Sequence, residues 1–306
     1  MNNIPAKQNE QEELRKLAAM RFTYSSAKMV LFWQFFLSVP VSVTAAILSL
    51  AYPSLKGYAT FIGLVVTALN LAWLTPWQTR LRKQAANIQE AFDCYVLDLE
   101  WNPIKAGQRP LPELIKERAD QYFPNRTDFP GLRDWYPIVV GTVRLEIGRI
   151  ICQRENCVWD AKQRHSYATA MVSFIAACIV AVFVAGMVEG LTVEKWILSV
   201  VGPLIPAFTF AWQQGREHRA AATRLEDLRN HADGLVDAVL GGLADGQATA
   251  LSRSLQDEIL DSRQRNAPVF DWVFNFLRPE YEAQMRYGAK ELVAKVARNG
   301  GGSGSQ

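Results

Sequence analysis

The sequence predicts an all-α membrane protein: four transmembrane helices with two short outside hairpins, continuing into a cytosolic helical bundle and cap. Three observations predict it. Four mostly apolar windows carry no formal charge: Met29–Leu55, Gly57–Thr79, His165–Val188 and Trp196–Gly215. At about 1.5 Å per residue, each is long enough to cross a hydrocarbon core of about 30 Å. Lys and Arg gather at one end of all four windows, and apolar residues continue beyond that end at helical spacing in segments too polar to be spans.

Residues 1–28 read as a cytosolic N-terminal helix. They are rich in Glu, Gln and Lys, lack the short apolar stretch of a signal peptide, and carry a weak stripe of Leu14, Leu17, Tyr24 and Ala27. Residues 29–77 hold transmembrane helices 1 and 2. In the first, Gln34, Ser38 and Ser42 recur every four residues and share a face. That face either lines a pore once the chain oligomerises or hydrogen-bonds a neighbouring span.

Residues 78–166 read as cytosolic helices with a Pro-rich insertion. Leu81, Ala85, Ile88, Phe92, Tyr95 and Leu99 follow span two at 4-3-4-3-4 spacing, and Ile147, Ile151, Arg154, Val158 and Ala161 precede span three in the same rhythm. Such spacing is the seam of helices packed at shallow angles. Between them, Trp101–Pro137 is dense in Pro and aromatic residues, as in a compact irregular lobe, which together with Leu251–Met285 is expected to form a cytosolic cap with its own small core.

Residues 167–212 hold transmembrane helices 3 and 4. Ala168–Val188 contains nine Val, Ile or Phe residues, favouring insertion by roughly 3 to 5 kcal/mol. Ser173, Ala177, Ala181 and Ala185 form a small-residue stripe suited to close span packing, and Pro203 and Pro206 are placed to kink span four. Residues 213–298 read as cytosolic C-terminal helices. Ala221, Leu225, Leu228, Ala232, Leu235 and Val239 repeat the seam, and Leu251–Met285 reads as a helix, a break at Ala267-Pro268, an aromatic helix and a break at Pro279. Residues 299–306 read as an appended flexible linker.

Orientation follows from the basic residues. Lys16, Arg21 and Lys28, then Arg80, Arg82 and Lys83, then Arg154, Lys162 and Arg164, then Arg216, Arg219 and Arg224 flank the spans on one side, while the two short connections carry little charge. Both termini are therefore expected in the cytoplasm, with the chain multi-pass. Tyr52, Tyr58, Trp77, Tyr167, Trp196 and Trp212 stand near span ends as interfacial anchors.

The chemistry is one of exclusion first. There is no G-x-S-x-G, P-loop, H-E-x-x-H or dinucleotide fingerprint, so no enzyme is predicted. Four Cys without C-x-x-C and three scattered His predict no metal, no disulfide framework and no cofactor. The spans hold no Asp, Glu, Lys or Arg, unlike proton pumps and ion-coupled carriers. A net charge of +3 does not predict a polynucleotide partner. Asp257, Glu258 and Asp261 read as a solvated acidic face. In the polar part, Arg149 and Arg154 recur near Trp135 and Tyr136, Trp159 follows, and Arg263 and Arg265 precede Trp272. Arginine beside aromatic planes holds a phosphate and stacks a base, so these are ligand-binding candidates; the alternative is an ordinary salt-bridged bundle surface.

Three blocks, "IPAKQNEQEELRKLAAMRFTYSSAK", "CQRENCVWDAKQRHSY" and "LQDEILDSRQRNAPVFDWVFNFLRPEYEAQM", resemble the four-transmembrane pore-forming effectors of bacterial antiphage defence, the SMODS-associated four-transmembrane family. The likeness runs from Ile4 to about Ala297. The resemblance implies that the cytosolic part senses a cyclic di- or trinucleotide second messenger and that the spans, in a homo-oligomer, permeabilise the bilayer and abort infection. Matched positions include Arg21, Tyr24, Lys28, Arg154, Glu155, Trp159, Asp160, Arg263, Asp271, Tyr281 and Glu282, which either touch nucleotide or hold the bundle together. The competing reading is a constitutive four-span channel, or a membrane scaffold, without a nucleotide ligand.

Overall fold

The structure, a computed structural model, describes residues 1–124, 128–188, 192–270 and 287–298, without the side chains of Trp159, Lys162 and Gln163. The aromatic helix expected after Ala267-Pro268, including Asp271, Trp272, Tyr281 and Glu282, its break at Pro279, and the linker 299–306 lie outside the described residues.

The described residues form helices and turns without a strand. A single turn, α1 (Ile4–Lys7), precedes α2 (Gln11–Phe36), which runs from the polar N-terminal segment into the first apolar window. There the helix widens into a π turn, Leu37–Val41, and continues as α3 (Ser42–Ala51). Pro40 lies inside that turn. Proline donates no N–H and crowds the carbonyl one turn back, and the wider turn accommodates both defects. A 3-10 turn at Pro53–Leu55 reverses the chain into α4 (Lys56–Leu69). A second π turn, Asn70–Leu74, joins it to α5 (Thr75–Val96), which leaves the membrane.

The Pro-rich insertion holds α6 (Pro103–Ala106) and α7 (Pro112–Tyr122). Then α8 (Leu145–Val188) runs 44 residues from the polar bundle through the third window. The chain returns through α9 (Val193–Trp196), a third π turn at Ile197–Val201, and α10 (Gly202–Leu240), followed by α11 (Asp245–Arg265) and α12 (287–298). Four helical stretches are long and apolar enough to span a membrane: Gln11–Ala51, Pro53–Val96, Arg164–Val188 and Val193–Leu240. Their outward faces bear Phe61, Leu64, Leu71, Trp73, Val180, Phe183, Phe208 and Trp212, all exposed. Lipid, not water, is the solvent such a belt suits.

All six seam residues predicted on α10, Ala221 through Val239, are buried. On α5 the seam holds at Ala85, Ile88 and Phe92 but fails at Tyr95, which is 42% exposed. Its hydroxyl donates to Glu10 at 2.7 Å, and Lys7 and Lys16 lie over its ring. The insertion does not form a separate core. Phe129, Leu132 and Tyr136 join Leu14, Leu17, Ile88, Phe92, Ile150 and Leu225 in a single cluster. The reason lies in α2, which buries Ala18 and Ala19 as well as Leu14 and Leu17. Its second face is covered by α7, so the insertion completes the bundle.

Between the spans, polar side chains meet. Gln78 donates to Gln34 at 2.9 Å, Gln34 to Thr75 at 3.1 Å, and Asn70 to Ser38 at 2.7 Å. Widened turns leave carbonyls without their usual donors, and neighbouring spans supply them: Thr60 donates to Leu198 O at 2.7 Å and Ser49 to Ser199 O at 2.8 Å. Spans two and four cross at glycines. A Cβ on Gly63 would lie 2.5 Å from Gly202 O.

Candidate functional site

The polar bundle is held by a buried network centred on Asp93 of α5, which is 0% exposed. Asp93 accepts from the Tyr136 hydroxyl at 2.7 Å, Gln256 at 3.0 Å and Arg263 at 2.5 Å. One turn earlier, Glu90 accepts from Arg253 at 2.7 Å and Gln256 at 2.8 Å. Gln153 on α8 donates to Gln256 at 3.1 Å and to Ser252 O at 2.9 Å, and Asn156 donates to the Tyr136 hydroxyl at 3.0 Å. Thus α5, α8, α11 and the turn at Tyr136 are tied through one polar hub. Burial, then the neighbouring Asp93, pushes Glu90 above the usual carboxylate range. Burial works against the charge of Arg263, but Asp93 and the tyrosines around it outweigh that effect and hold it firmly protonated.

This hub accounts for three of the sequence-predicted ligand residues. Tyr136 and Arg263 meet on Asp93, and Trp135 packs edge-on against Phe92 at 6.4 Å with Arg21 over its ring at 5.5 Å. The other candidates stand apart. Arg149 is 2% exposed and spends its guanidinium on Leu97 O, Asp98 O and Thr249. Arg154 joins Asp233 at 2.6 Å and Glu155 at 3.0 Å. Arg265, its side chain 66% exposed, pairs with Asp261 within its own helix. Trp159 lies on α8, and its side chain is outside the described residues. The structure therefore does not gather these residues around one opening.

The polar face of span one is closed inside the chain: Gln34 is 5% exposed and Ser38 and Ser42 are 0%. It faces span two, through Thr75, Gln78 and Asn70. The small stripe on span three is placed the other way, with Ser173, Ala177, Ala181 and Ala185 all exposed in the single chain.

The sequence reading missed Glu90, Asp93, Arg253 and Gln256. A signal was present: two carboxylates three apart amid Ile88 and Phe92, and two arginines at the matching face of a later helix. The acidic face read on α11 also divides. Asp257 accepts from Arg253 at 2.9 Å and Asn102 at 2.8 Å, whereas Glu258 faces outward and meets Lys105 at 3.4 Å. Among the described residues the four cysteines are free and no group of three metal-ligating side chains occurs.

Comparison with known proteins agrees with this architecture. A probable CBASS effector molecule of Bacillus cereus strain VD146 is 21% identical over 278 residues, covering 88% of this chain and 90% of that protein. No solved structure matches. The family described as the SMODS-associating 4TM effector domain matches residues 2–292. Four apolar helical stretches, a bundle continuous with them and a match across nearly the whole chain lead to one assignment: this protein belongs to the SMODS-associating 4TM effector domain family.

Proposed function

We propose that this chain is a membrane effector of antiphage defence that is switched on by a cyclic di- or trinucleotide and, as a homo-oligomer in the bacterial inner membrane, permeabilises the bilayer. Family membership and the likeness to a probable CBASS effector support the defence role. The observation that carries the gating is α8. It passes through the buried hub at Gln153 and Asn156 and ends in the third apolar window, a helix of 44 residues in all. A ligand that rearranges the hub moves a rod whose other end lies in lipid.

Oligomerisation is part of the reading because the only strongly polar face of span one is used up inside the chain, while the small residues of span three face outward. Four spans without a charged lining make a poor conduit alone. Basic residues at one end of the spans support a reading with the bundle and both termini on the cytoplasmic side. No catalytic step is needed, and no cofactor enters the reading.

The test is dye release from liposomes carrying the purified protein with the bundle outward, against a panel of cyclic di- and trinucleotides. Release with a nucleotide and none without is the expected result. Release regardless of nucleotide would replace the reading with a constitutive channel, and silence under every condition, with orientation checked by protease, would replace it with a scaffold.

A further inference from the structure

Where the bundle meets the spans, three buried donors have no acceptor. Arg82 on α5 is 8% exposed, Arg164 on α8 7% and Tyr167, one turn further, 3%. The Nε of Arg82, the Nε of Arg164 and the hydroxyl of Tyr167 are without hydrogen-bond partners. Arg164 is the better held. Its Nη1 donates to Ala267 O at 2.7 Å and meets His218 Nδ1 at 3.2 Å, while its Nε stands 2.9 Å from Asp160 Oδ1 without the alignment of a hydrogen bond.

Arg82 is held least. It forms no ion pair among the described residues; burial works against its charge first, Glu217 favours that charge, and Arg164, of its own sign, opposes it. Glu217 already accepts from Gln213 at 2.9 Å. His218 brings no further charge, since burial and then Arg164 push its pKa down to about 2. Arg253 Nε and Arg263 Nη2 are also unbonded, but those side chains are anchored by a carboxylate. Arg154, Arg253 and Arg263 each have a carboxylate within 2.7 Å, and Arg149 has two carbonyls.

A buried guanidinium without an anion costs several kcal/mol, and unmade N–H and O–H bonds add to that cost. The fold tolerates it here, where Asp160 stands against Arg164 but three donors remain unbonded. We propose that Arg82, Arg164 and Tyr167 form an anion site that takes a phosphate group, whose several oxygens match the guanidinium fork and the added hydroxyl. Two sources present that chemistry at this level. Arg82 lies five residues beyond the Trp77 anchor and Tyr167 opens span three, so a lipid headgroup phosphate is close by; the phosphodiester of a cyclic oligonucleotide is the other. Only the nucleotide arm rests on the function proposed above. In either case the Arg164–Ala267 bond ties the segment after α11 to the site, so filling the site bears on how that segment sits.

Full-length protein in neutral detergent is titrated with inorganic phosphate, with a short-chain phosphatidylglycerol, and with cyclic di- and trinucleotides, following the midpoint of thermal unfolding against chloride at matched ionic strength. An upward shift with at least one phosphate probe is expected. Arg82→Gln is expected to raise the midpoint of the anion-free protein, because it removes an uncompensated charge, and to weaken the anion's apparent affinity by at least about tenfold. Tyr167→Phe keeps the ring against His218 and weakens the affinity in the same direction. Arg15→Gln, in an exposed pair with Glu12, leaves the shift unchanged. No shift with any probe, or full shifts in both Arg82→Gln and Tyr167→Phe, overturns the site. A lipid shift alone, lost in Arg82→Gln, keeps the site and removes its nucleotide arm. A nucleotide shift that survives both variants keeps the nucleotide reading and removes the site.

Discussion

Replacing Arg263 by Met keeps most of the side-chain volume but removes the cation that stands 2.5 Å from Asp93. Asp93 is 0% exposed and retains only the Tyr136 hydroxyl and Gln256 as donors, while Glu90, also 0% exposed, stands one turn away with a second negative charge. Of the two buried carboxylates, Glu90 would then keep its arginine, Arg253, and Asp93 would have lost its own. Breaking a buried pair from one side costs about 3–5 kcal/mol because the remaining charge is uncompensated. At a few degrees per kcal/mol for a chain of this size, the midpoint should fall by roughly 10 °C. The double variant Asp93→Asn, Arg263→Met leaves no orphaned charge and should recover most of that loss, giving a coupling of at least about 2 kcal/mol. Circular dichroism at the helix band, on wild type, both single variants and the double variant in one detergent, measures the cycle. Single losses that add to within about 0.5 kcal/mol would show that the hub is not a coupled unit.

Glu155, 2% exposed and bonded to Arg154, is pushed up to about 7 by burial, against the pull of that arginine, from an ordinary value of 4.5. Because the folded value lies above the unfolded one, its contribution is fully present below about pH 4.5 and is lost as pH rises through about 7, a swing of roughly 3 kcal/mol. Glu155→Gln should flatten that part of a stability-against-pH curve, and an unchanged slope would place the titration elsewhere. Gly63→Ala puts a methyl 2.5 Å from Gly202 O and should cost about 1–3 kcal/mol in thermal unfolding, whereas Gly57→Ala, with nothing within 4 Å, should be near neutral. Equal effects would mean the spans do not cross at Gly63. Arg154→Ala should abolish nucleotide-triggered dye release at wild-type expression, since it frees Asp233 from α8; full release would remove Arg154 from transmission.

Patterns of period and charge were legible without coordinates. Four uncharged windows gave four spans, and the α10 seam from Ala221 to Val239 is buried as spacing demanded. Patterns that depend on partners distant in sequence were not. Tyr95 has the right spacing but lies where Glu10 and Lys7 can reach it, so a polar end and two cations draw it outward. Three of the arginines singled out as ligand candidates, Arg149, Arg154 and Arg263, are held inside the fold, because Asp93, Asp233 and the carbonyls of Leu97 and Asp98 approach from other segments. Pro203 and Pro206 marked span four as irregular, yet the widened turn falls just before them at Ile197–Val201, and spans one and two each have one too. No local motif in Asn70–Leu74 announces that turn. Its first residue reaches Ser38 in the widened turn of the facing span, so the two irregularities are settled together.

That distribution of irregular turns separates the spans mechanically. Spans one, two and four each contain a π turn, and each is bridged from another span: Asn70 to Ser38, side chain to side chain, joins the first two, and Thr60 and Ser49 donate to Leu198 O and Ser199 O in the third. A π turn differs from an α turn by one residue, so closing it advances everything beyond by about 100° and breaks those bridges. Span three has no such turn, for α8 stays regular from Leu145 to Val188. On the gating proposed above, a push at the hub would travel to the membrane along α8 and be absorbed or converted in the other three. The side chains that bridge the π turns, short hydroxyls and one amide, are weak ties in lipid, on the order of 1 kcal/mol each. Ties of that size hold a resting arrangement against thermal motion collectively but give way to a bound ligand, whose differential affinity for two states commonly reaches a few kcal/mol. If the proposed gating holds, the cross-span bridges are of a strength suited to a switch, and the buried ion pairs of the hub, several-fold stronger, to the frame that carries it.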